Sequence, residues 1–197
     1  MKKVLLIGDS IRMGYDKYVA EQLAGEAEVL FPSENCRFAE YILRSLGDWR
    51  EKLGIDTLDA VHWNVGLWDT LRLTGDDGTL TRPEVYADYI CRIQKRLMYY
   101  FPDAKYIFAT STPVWEEKFD PAKAVRYNRD IEQFNRIARD VLADFPVEIN
   151  DLYALMCDQP KSLYSDMTHF YTPEGTKRLG DRVTQVLRTA LDMGSVK

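Results

Sequence analysis

The sequence predicts an α/β protein in which one parallel β-sheet lies between two layers of helices. Short apolar segments of strand length alternate with segments of helical period along the whole chain, as in sheets with crossover helices. The chain has 197 residues, which is the length of about one domain. Its residues are 46% hydrophobic and 29% charged, a mixture typical of globular proteins. We therefore expect a single domain over residues 1–197.

Five short segments are predicted as strands. Val4–Ile7 is apolar at every position and is closed by Gly8, which suits a strand buried on both faces. The other four predicted strands cover residues 28–31, 59–64, 105–110 and 147–149.

Five segments are predicted as helices. Bulky residues recur at helical spacing between Tyr15 and Leu23. Pro83 and Pro173 each suit the first position of a helix, and Thr172 suits the cap before the second of them. The predicted helices cover residues 15–23, 39–53, 83–100 and 124–144, and a final helix starts at residue 173, with polar loops over residues 66–81 and 158–171.

The repeated β-α order implies a parallel sheet with helices on both faces. Five strands suit a three-layer α/β/α arrangement with the flavodoxin-like strand order 2-1-3-4-5. In such sheets a ligand binds outside the carboxyl ends of the strands. Candidate functional residues are therefore those that directly follow strands.

Composition excludes several classes of partner and site. Lysine and arginine number 26 against 31 acidic residues, a net charge of −5, so we expect no nucleic-acid partner and no membrane partner. Three cysteines do not form a disulfide framework, and with two histidines they show no metal-ligand spacing, so no metal and no cofactor are expected. The amino-terminal apolar run is too short for a signal peptide, which favours a cytoplasmic protein. The oligomeric state stays open.

The first candidate is Gly8-Asp9-Ser10, which follows the first strand. A serine at this place lies near a helix amino terminus, where free N–H groups favour developing negative charge. The alternative is that Asp9 or Ser10 only caps the helix, and for this motif taken alone that alternative is favoured.

The second candidate is the loop that precedes the last helix, with Asp166 and His169 three residues apart. A serine nucleophile needs a base to take its proton, and that base needs a carboxylate to hold its tautomer. An isolated pair of this kind is more often a surface feature. Here the histidine is one of two in the chain and lies at the same end of the sheet as Ser10, which favours a catalytic role.

The third candidate follows the third strand, where Asn64 and Trp68 carry N–H donors suited to an oxyanion. The alternative is that Trp63 is a core residue and Trp68 only anchors the loop. His62, in the middle of the strand, is expected to be buried and hydrogen-bonded rather than catalytic.

Together these places resemble the GDSL, or SGNH, hydrolase family over essentially the whole chain. The resemblance depends on Gly8-Asp9-Ser10, on the Asp166 to His169 motif and on the β-α order between them. Further segments are similar to those common in the family: Ala109-Thr110-Ser111-Thr112-Pro113, Tyr127-Asn128 and Asn135.

The resemblance implies that Ser10 is the nucleophile, His169 the general base and acid, and Asp166 the residue that orients His169. The Ser10 backbone N–H would be one oxyanion donor. A second would be the backbone N–H of Cys36, which stands where the family has a glycine. The third is normally an asparagine in a Gly-x-Asn-Asp block, and here Trp68 occupies that position. Asn64 or Trp68 would therefore complete the oxyanion hole, and Asn64 is favoured because a carboxamide is the family's donor.

The loops at residues 66–81 and 111–122 carry Trp68 and Trp115. Together with Asp9, these two tryptophans are candidate substrate contacts. Aromatic and polar residues together suit a sugar ring that carries a small acyl group. Family members with a GLWD-like block resemble carbohydrate deacetylases, so the resemblance implies a serine esterase that removes O-acetyl groups from a carbohydrate. The alternatives are a lipase, thioesterase or acyltransferase with the same triad, or a flavodoxin-like binding module without catalysis, with both tryptophans packing the loops.

Overall fold

Residues 1–193 are described by the structure, a computed structural model. Five strands form one sheet in the order β2-β1-β3-β4-β5, and every pair of neighbouring strands is parallel. The predicted fold class and strand order are therefore confirmed. The strands are β1 (Lys2–Ile7), β2 (Ala27–Leu30), β3 (Ala60–Trp63), β4 (Lys105–Ala109) and β5 (Val147–Asn150).

Within residues 1–193, six α-helices connect and follow the strands. They are α1 (Ser10–Gln22), α2 (Ala39–Lys52), α3 (Pro83–Tyr100), α4 (Asn128–Leu142), α5 (Leu152–Met156) and α6 (Pro173–Ala190). The five-residue helix α5 was not predicted, because it is too short to show a period. None of the helices in residues 1–193 has the length and apolar character that crossing a bilayer requires.

Two helix starts differ from the predictions, and both differences have a local cause. Helix α1 starts at Ser10 rather than Tyr15, because the Asp9 side chain accepts a hydrogen bond from the Ile11 N–H and caps the helix there. Helix α4 starts four residues later than predicted, because Val125 pairs with Arg72 in an antiparallel bridge that keeps the preceding backbone extended.

Strand alternation divides the core into two layers, one on each face of the sheet. Leu5 and Ile7 of β1 face the layer formed with α2, α3 and part of α4, and Val4 and Leu6 face the layer formed with α1 and α6. His62 of β3 is fully buried, as predicted, and its Nε2 lies 3.1 Å from the amide nitrogen of Asn150. The core thus holds β1 and β3 rigidly, and the loops that follow them carry the candidate site.

Candidate active site

Three side chains singled out in the sequence lie together beyond the carboxyl end of the sheet. His169 Nε2 lies 2.8 Å from Ser10 Oγ, and His169 Nδ1 lies 2.7 Å from Asp166 Oδ2. Ser10 and His169 are separated by 159 residues in the chain. In this arrangement the imidazole can take a proton from the serine hydroxyl while the carboxylate holds the opposite ring nitrogen.

The loop of residues 165–169 fixes the Asp166 carboxylate. Asp166 Oδ1 accepts hydrogen bonds from the backbone N–H groups of Thr168 at 2.6 Å and His169 at 2.8 Å. The Ser165 N–H donates to the His169 carbonyl oxygen at 2.8 Å and closes the loop. Burial acts to raise the pKa of Asp166, but the Thr168 N–H and the contacts with His169 outweigh it and hold that pKa below its usual value. The residue that faces the imidazole is therefore a carboxylate.

Asp9 lies beneath the site and does not face a substrate. Its side chain is fully buried, caps α1 through the Ile11 N–H at 2.9 Å and accepts a hydrogen bond from Asn64 Nδ2 at 3.2 Å. Burial raises the pKa of Asp9, although the Ile11 N–H and the Asn64 amide oppose it. The prediction that Asp9 contacts substrate is wrong, because a side chain with 0% exposure has no surface to offer.

Tyr171, which no sequence motif singled out, contacts both Ser10 and His169. Its ring stacks on the His169 imidazole, with centroids 4.6 Å apart and planes 24° apart. Its hydroxyl donates to the Ser10 carbonyl oxygen at 2.7 Å. Gly14 makes room for the ring, since a Cβ there would lie 2.6 Å from Tyr171 Cε1. Proximity to His169 in the chain is the one signal that could have pointed to it.

The backbone N–H of Cys36 is not free to act as an oxyanion donor. It donates to the Gly8 carbonyl oxygen at 3.1 Å, so the prediction for Cys36 is wrong in this conformation. The thiol is fully buried, and burial raises its pKa to about 11, so it is a packing group rather than a nucleophile.

The two alternatives for the third donor lie in different environments. Asn64 is 2% exposed, and one of the two N–H groups of its amide is engaged by Asp9 beneath the site. The preference for Asn64 stays a prediction. Trp68 is half-buried in the turn over residues 67–70. The Ser10 N–H lies at the first position of α1, where no intrahelical acceptor exists for it.

Arg126 lies beside the same turn, and the sequence analysis missed it as well. Its Nε donates to the Leu67 carbonyl oxygen, which follows Gly66 at the end of β3. The side chain is half-buried, and burial lowers its pKa while the negative charge of Asp9 acts in the opposite direction. No spacing pattern connects residue 126 with residue 67, so this contact had no signal in the sequence.

Two asparagines of α4 hold the loop that follows β4. Asn135 accepts a hydrogen bond from the Ser111 N–H at 2.8 Å and donates to the Ser111 carbonyl oxygen at 3.0 Å. Asn128 makes the same pair of contacts with Val114, at 2.8 and 3.0 Å. The two asparagines are seven residues apart, so they lie on one face of the helix. They keep the loop in place through its backbone.

Trp115 anchors this loop to the loop that carries His169. Its backbone N–H donates to the Met167 carbonyl oxygen at 2.8 Å. Its ring packs against Tyr164, with centroids 6.0 Å apart, and Lys118 Nζ lies 3.9 Å from the ring centroid. These are the contacts of a loop anchor, the alternative considered for both tryptophans. Across residues 1–193 no cluster of three or more His, Cys, Asp or Glu side chains is arranged to hold a metal ion.

Comparison with known proteins identifies the fold. No protein-family model matches the chain, and no curated protein matches it. A lipase/acylhydrolase from Enterococcus faecalis superimposes with a TM-score of 0.76 at 19% identity, covering 100% of both chains. An acetyl xylan esterase superimposes with a TM-score of 0.72 at 20% identity, covering 94% of this chain and 99% of the other. This chain has the fold of GDSL-type hydrolases.

A third structure of this fold is a GDSL-like lipase from Bacteroides thetaiotaomicron, which superimposes with a TM-score of 0.73 at 14% identity. It covers 96% of this chain and 89% of the other. The GDSL-type hydrolase fold therefore extends over nearly the whole chain, and Ser10, Asp166 and His169 lie at the end of the sheet where this architecture places its ligand sites.

Proposed function

We propose that the protein is a serine esterase that cleaves small acyl esters through an acyl-enzyme on Ser10. The observation that carries this proposal is the continuous contact from Asp166 through His169 to Ser10, at 2.7 and 2.8 Å. The solved structures that share the fold support it, since they include an acylhydrolase and an acetyl xylan esterase.

The reaction proceeds by two acyl transfers. His169 Nε2 takes the Ser10 proton while Ser10 Oγ forms a bond to the ester carbonyl carbon. His169 then gives that proton to the departing alkoxide oxygen as the ester C–O bond breaks. In the second half His169 takes a proton from water, the water oxygen attacks the acyl carbon, and the proton returns to Ser10 as the acid leaves. The Asp166 carboxylate stabilises the imidazolium in both halves.

We propose an O-acetyl ester of a carbohydrate as the substrate class. One solved structure with this fold is named as an acetyl xylan esterase, which favours an acetylated sugar. Trp68 is half-buried in the loop after β3 and is the candidate to stack on a sugar ring, because the ring of Trp115 already contacts Tyr164 and Lys118. An acetyl group also needs little apolar volume beside the serine.

The nucleophile is tested by labelling with a serine-reactive fluorophosphonate. We expect one label per chain, complete loss of labelling in Ser10→Ala, and strongly slowed labelling in His169→Ala and Asp166→Asn. Ser33→Ala is the control, because Ser33 is exposed and lies outside the site. Absence of labelling in folded wild-type protein would refute the esterase proposal.

The substrate class is tested by comparing kcat/KM across acetylated oligosaccharides, p-nitrophenyl esters of increasing chain length, and acyl thioesters. We expect acetyl esters to be cleaved fastest and acetylated sugars to be preferred over acetyl esters without a sugar. Preference for long acyl chains would point instead to a lipase. Transfer to an added alcohol in place of water would point to an acyltransferase.

A further inference from the structure

We propose that Arg126 supplies the side-chain donor of the oxyanion hole, in the place that the sequence analysis assigned to Asn64 or Trp68. This inference rests on the proposed esterase function. Four observations carry it: the engagement of other donors, the anchoring of Arg126, its lack of a carboxylate partner, and its nearness to Asp9.

Other donors near Ser10 are already engaged. The Cys36 N–H donates to the Gly8 carbonyl oxygen, and Asn64 Nδ2 donates to Asp9. Asn64 is also packed against Gly8, because a Cβ at Gly8 would lie 1.9 Å from Asn64 Oδ1. One N–H of the Asn64 amide is held by Asp9, and at 2% exposure its second N–H has little access to a substrate oxygen. The Ser10 N–H at the start of α1 remains available to the oxyanion. A second donor is needed beside it to stabilise the full negative charge of that oxyanion.

Arg126 is fixed at the turn over residues 67–70, which follows β3 and carries Trp68. Its neighbour Val125 exchanges two backbone hydrogen bonds with Arg72, at 2.9 and 3.0 Å. On its other side, the Asn128 side chain is bound to the backbone of Val114. The guanidinium Nε donates to the Leu67 carbonyl oxygen, directly before Trp68. Both backbone and side chain are thus held, which is the preorganisation that an oxyanion donor requires.

The guanidinium has no ion-pair partner. In the described part of the chain no carboxylate oxygen lies within 4.0 Å of it, whereas Arg12 pairs with Asp16 and Arg72 with Asp130. A half-buried cation without a partner is costly, and a developing oxyanion would offset that cost in the transition state. An arginine is always protonated and presents four further N–H groups beyond Nε.

The buried Asp9 carboxylate acts on the charge of Arg126, which is held in place by its hydrogen bond to the Leu67 carbonyl oxygen. Asp9 directly precedes Ser10, and its charge is close enough to favour the protonated guanidinium. The same attraction lowers the pKa of the buried Asp9, against the larger effect of burial. Asp9 and Arg126 form no direct ion pair, and the hydrogen bond to Leu67 uses Nε, which leaves the terminal nitrogens of Arg126 for a ligand.

The test is the substitution Arg126→Gln, because glutamine can still donate to the Leu67 carbonyl oxygen but lacks the charge and the terminal nitrogens proposed to bind the oxyanion. We expect kcat for p-nitrophenyl acetate, a neutral ester, to fall by roughly 10²–10³ with KM changed by less than about threefold. Added guanidinium ion should partly restore turnover to Arg126→Ala. Arg129→Gln is the matched control, because Arg129 lies on the first turn of α4 with its side chain 74% exposed.

Three results would overturn the inference while leaving the esterase proposal intact. The first is unchanged turnover in Arg126→Gln. The second is a loss confined to substrates that carry a carboxylate, which would make Arg126 a substrate-binding residue. The third is a loss of most turnover in Trp68→Phe but not in Arg126→Gln. If the glutamine variant does not fold, Arg126→Lys decides: at least a tenfold lower kcat supports the inference, and wild-type kcat refutes it. Retained turnover in Ser10→Ala would instead refute the esterase proposal itself.

Discussion

Two buried groups, His62 and Asp69, should make opposite contributions to the pH dependence of stability. His62 is fully buried, and burial lowers its pKa from 6.5 to about 3. Asp69 is also fully buried, and burial raises its pKa from 3.8 to about 6, although the Thr81 hydroxyl and the Ala39 N–H oppose it. Substituting each group by a residue of similar shape that does not titrate should separate the two effects.

The sign of each contribution follows from which state binds more protons. At His62 the unfolded chain binds more protons than the folded protein between pH 3 and 6.5, so stability falls as the pH falls through that window. At Asp69 the folded protein binds more protons between pH 3.8 and 6, so stability rises as the pH falls through that window. Between pH 7 and 4.5 His62 should lower the free energy of unfolding by about 2.5 kcal/mol, and Asp69 should raise it by about 2 kcal/mol. The wild-type protein should therefore show only a small net effect of these two groups.

The assay is urea unfolding of wild-type protein, His62→Gln and Asp69→Asn at several pH values. Glutamine can still accept a hydrogen bond from the Asn150 amide, and asparagine can still accept from Ala39 and Thr81. Each variant has its own packing cost at pH 7, so the quantity compared is the change in unfolding free energy between pH 7 and 4.5. Relative to wild type, His62→Gln should gain about 2.5 kcal/mol and Asp69→Asn should lose about 2 kcal/mol over this interval. If the free energy of unfolding changed equally with pH in wild-type protein and both variants, the reasoning would be refuted.

Three further predictions concern the support of the site. Tyr171→Phe keeps the stack on His169 and loses the hydrogen bond to Ser10, so kcat for p-nitrophenyl acetate should fall about fivefold. Tyr171→Leu also loses the stack, and it should lower kcat by about tenfold or more. In Gly8→Ala the added methyl group collides with Asn64, and urea unfolding should show a loss of about 1–3 kcal/mol or more. Asn135→Ala leaves two backbone groups of Ser111 without partners, and the same assay should show a loss of about 2–4 kcal/mol, whereas unchanged stability would mean that the loop holds without it.

The strands could be predicted from the sequence because each is a short apolar run between polar segments. Val4–Ile7 is buried at all four positions, as a continuous apolar run in a parallel sheet requires. The helix starts at residues 39, 83 and 173 match the predictions, and the two starts that differ each depend on one cap or one tertiary contact. The bridge between Val125 and Arg72 joins loops that the sequence places far apart, and no local pattern reveals it.

The residues of the site also differ in whether the sequence could reveal them. Ser10, Asp166 and His169 could be singled out because His169 is one of two histidines and each of the three lies where the topology places a ligand. Tyr171 and Arg126 could not be, because their roles depend on contacts with residues 161 and 59 positions away. The Cys36 prediction was wrong for another reason: side-chain identity does not reveal where a backbone N–H points, and here it points at the Gly8 carbonyl oxygen.

The two interpretations of Gly8-Asp9-Ser10 are not alternatives in the folded protein. A serine at the cap position would direct its Oγ at the N–H groups of the first turn and away from a base. Here Asp9 takes the cap, so Ser10 becomes the first residue of α1 and its Oγ is free to lie 2.8 Å from His169. As the cap of α1, the Asp9 carboxylate is buried beneath the site, where it accepts a hydrogen bond from Asn64 and attracts Arg126. Capping by Asp9 is therefore a condition for the position of the serine, and Asp9→Ala should impair both stability and fluorophosphonate labelling at Ser10.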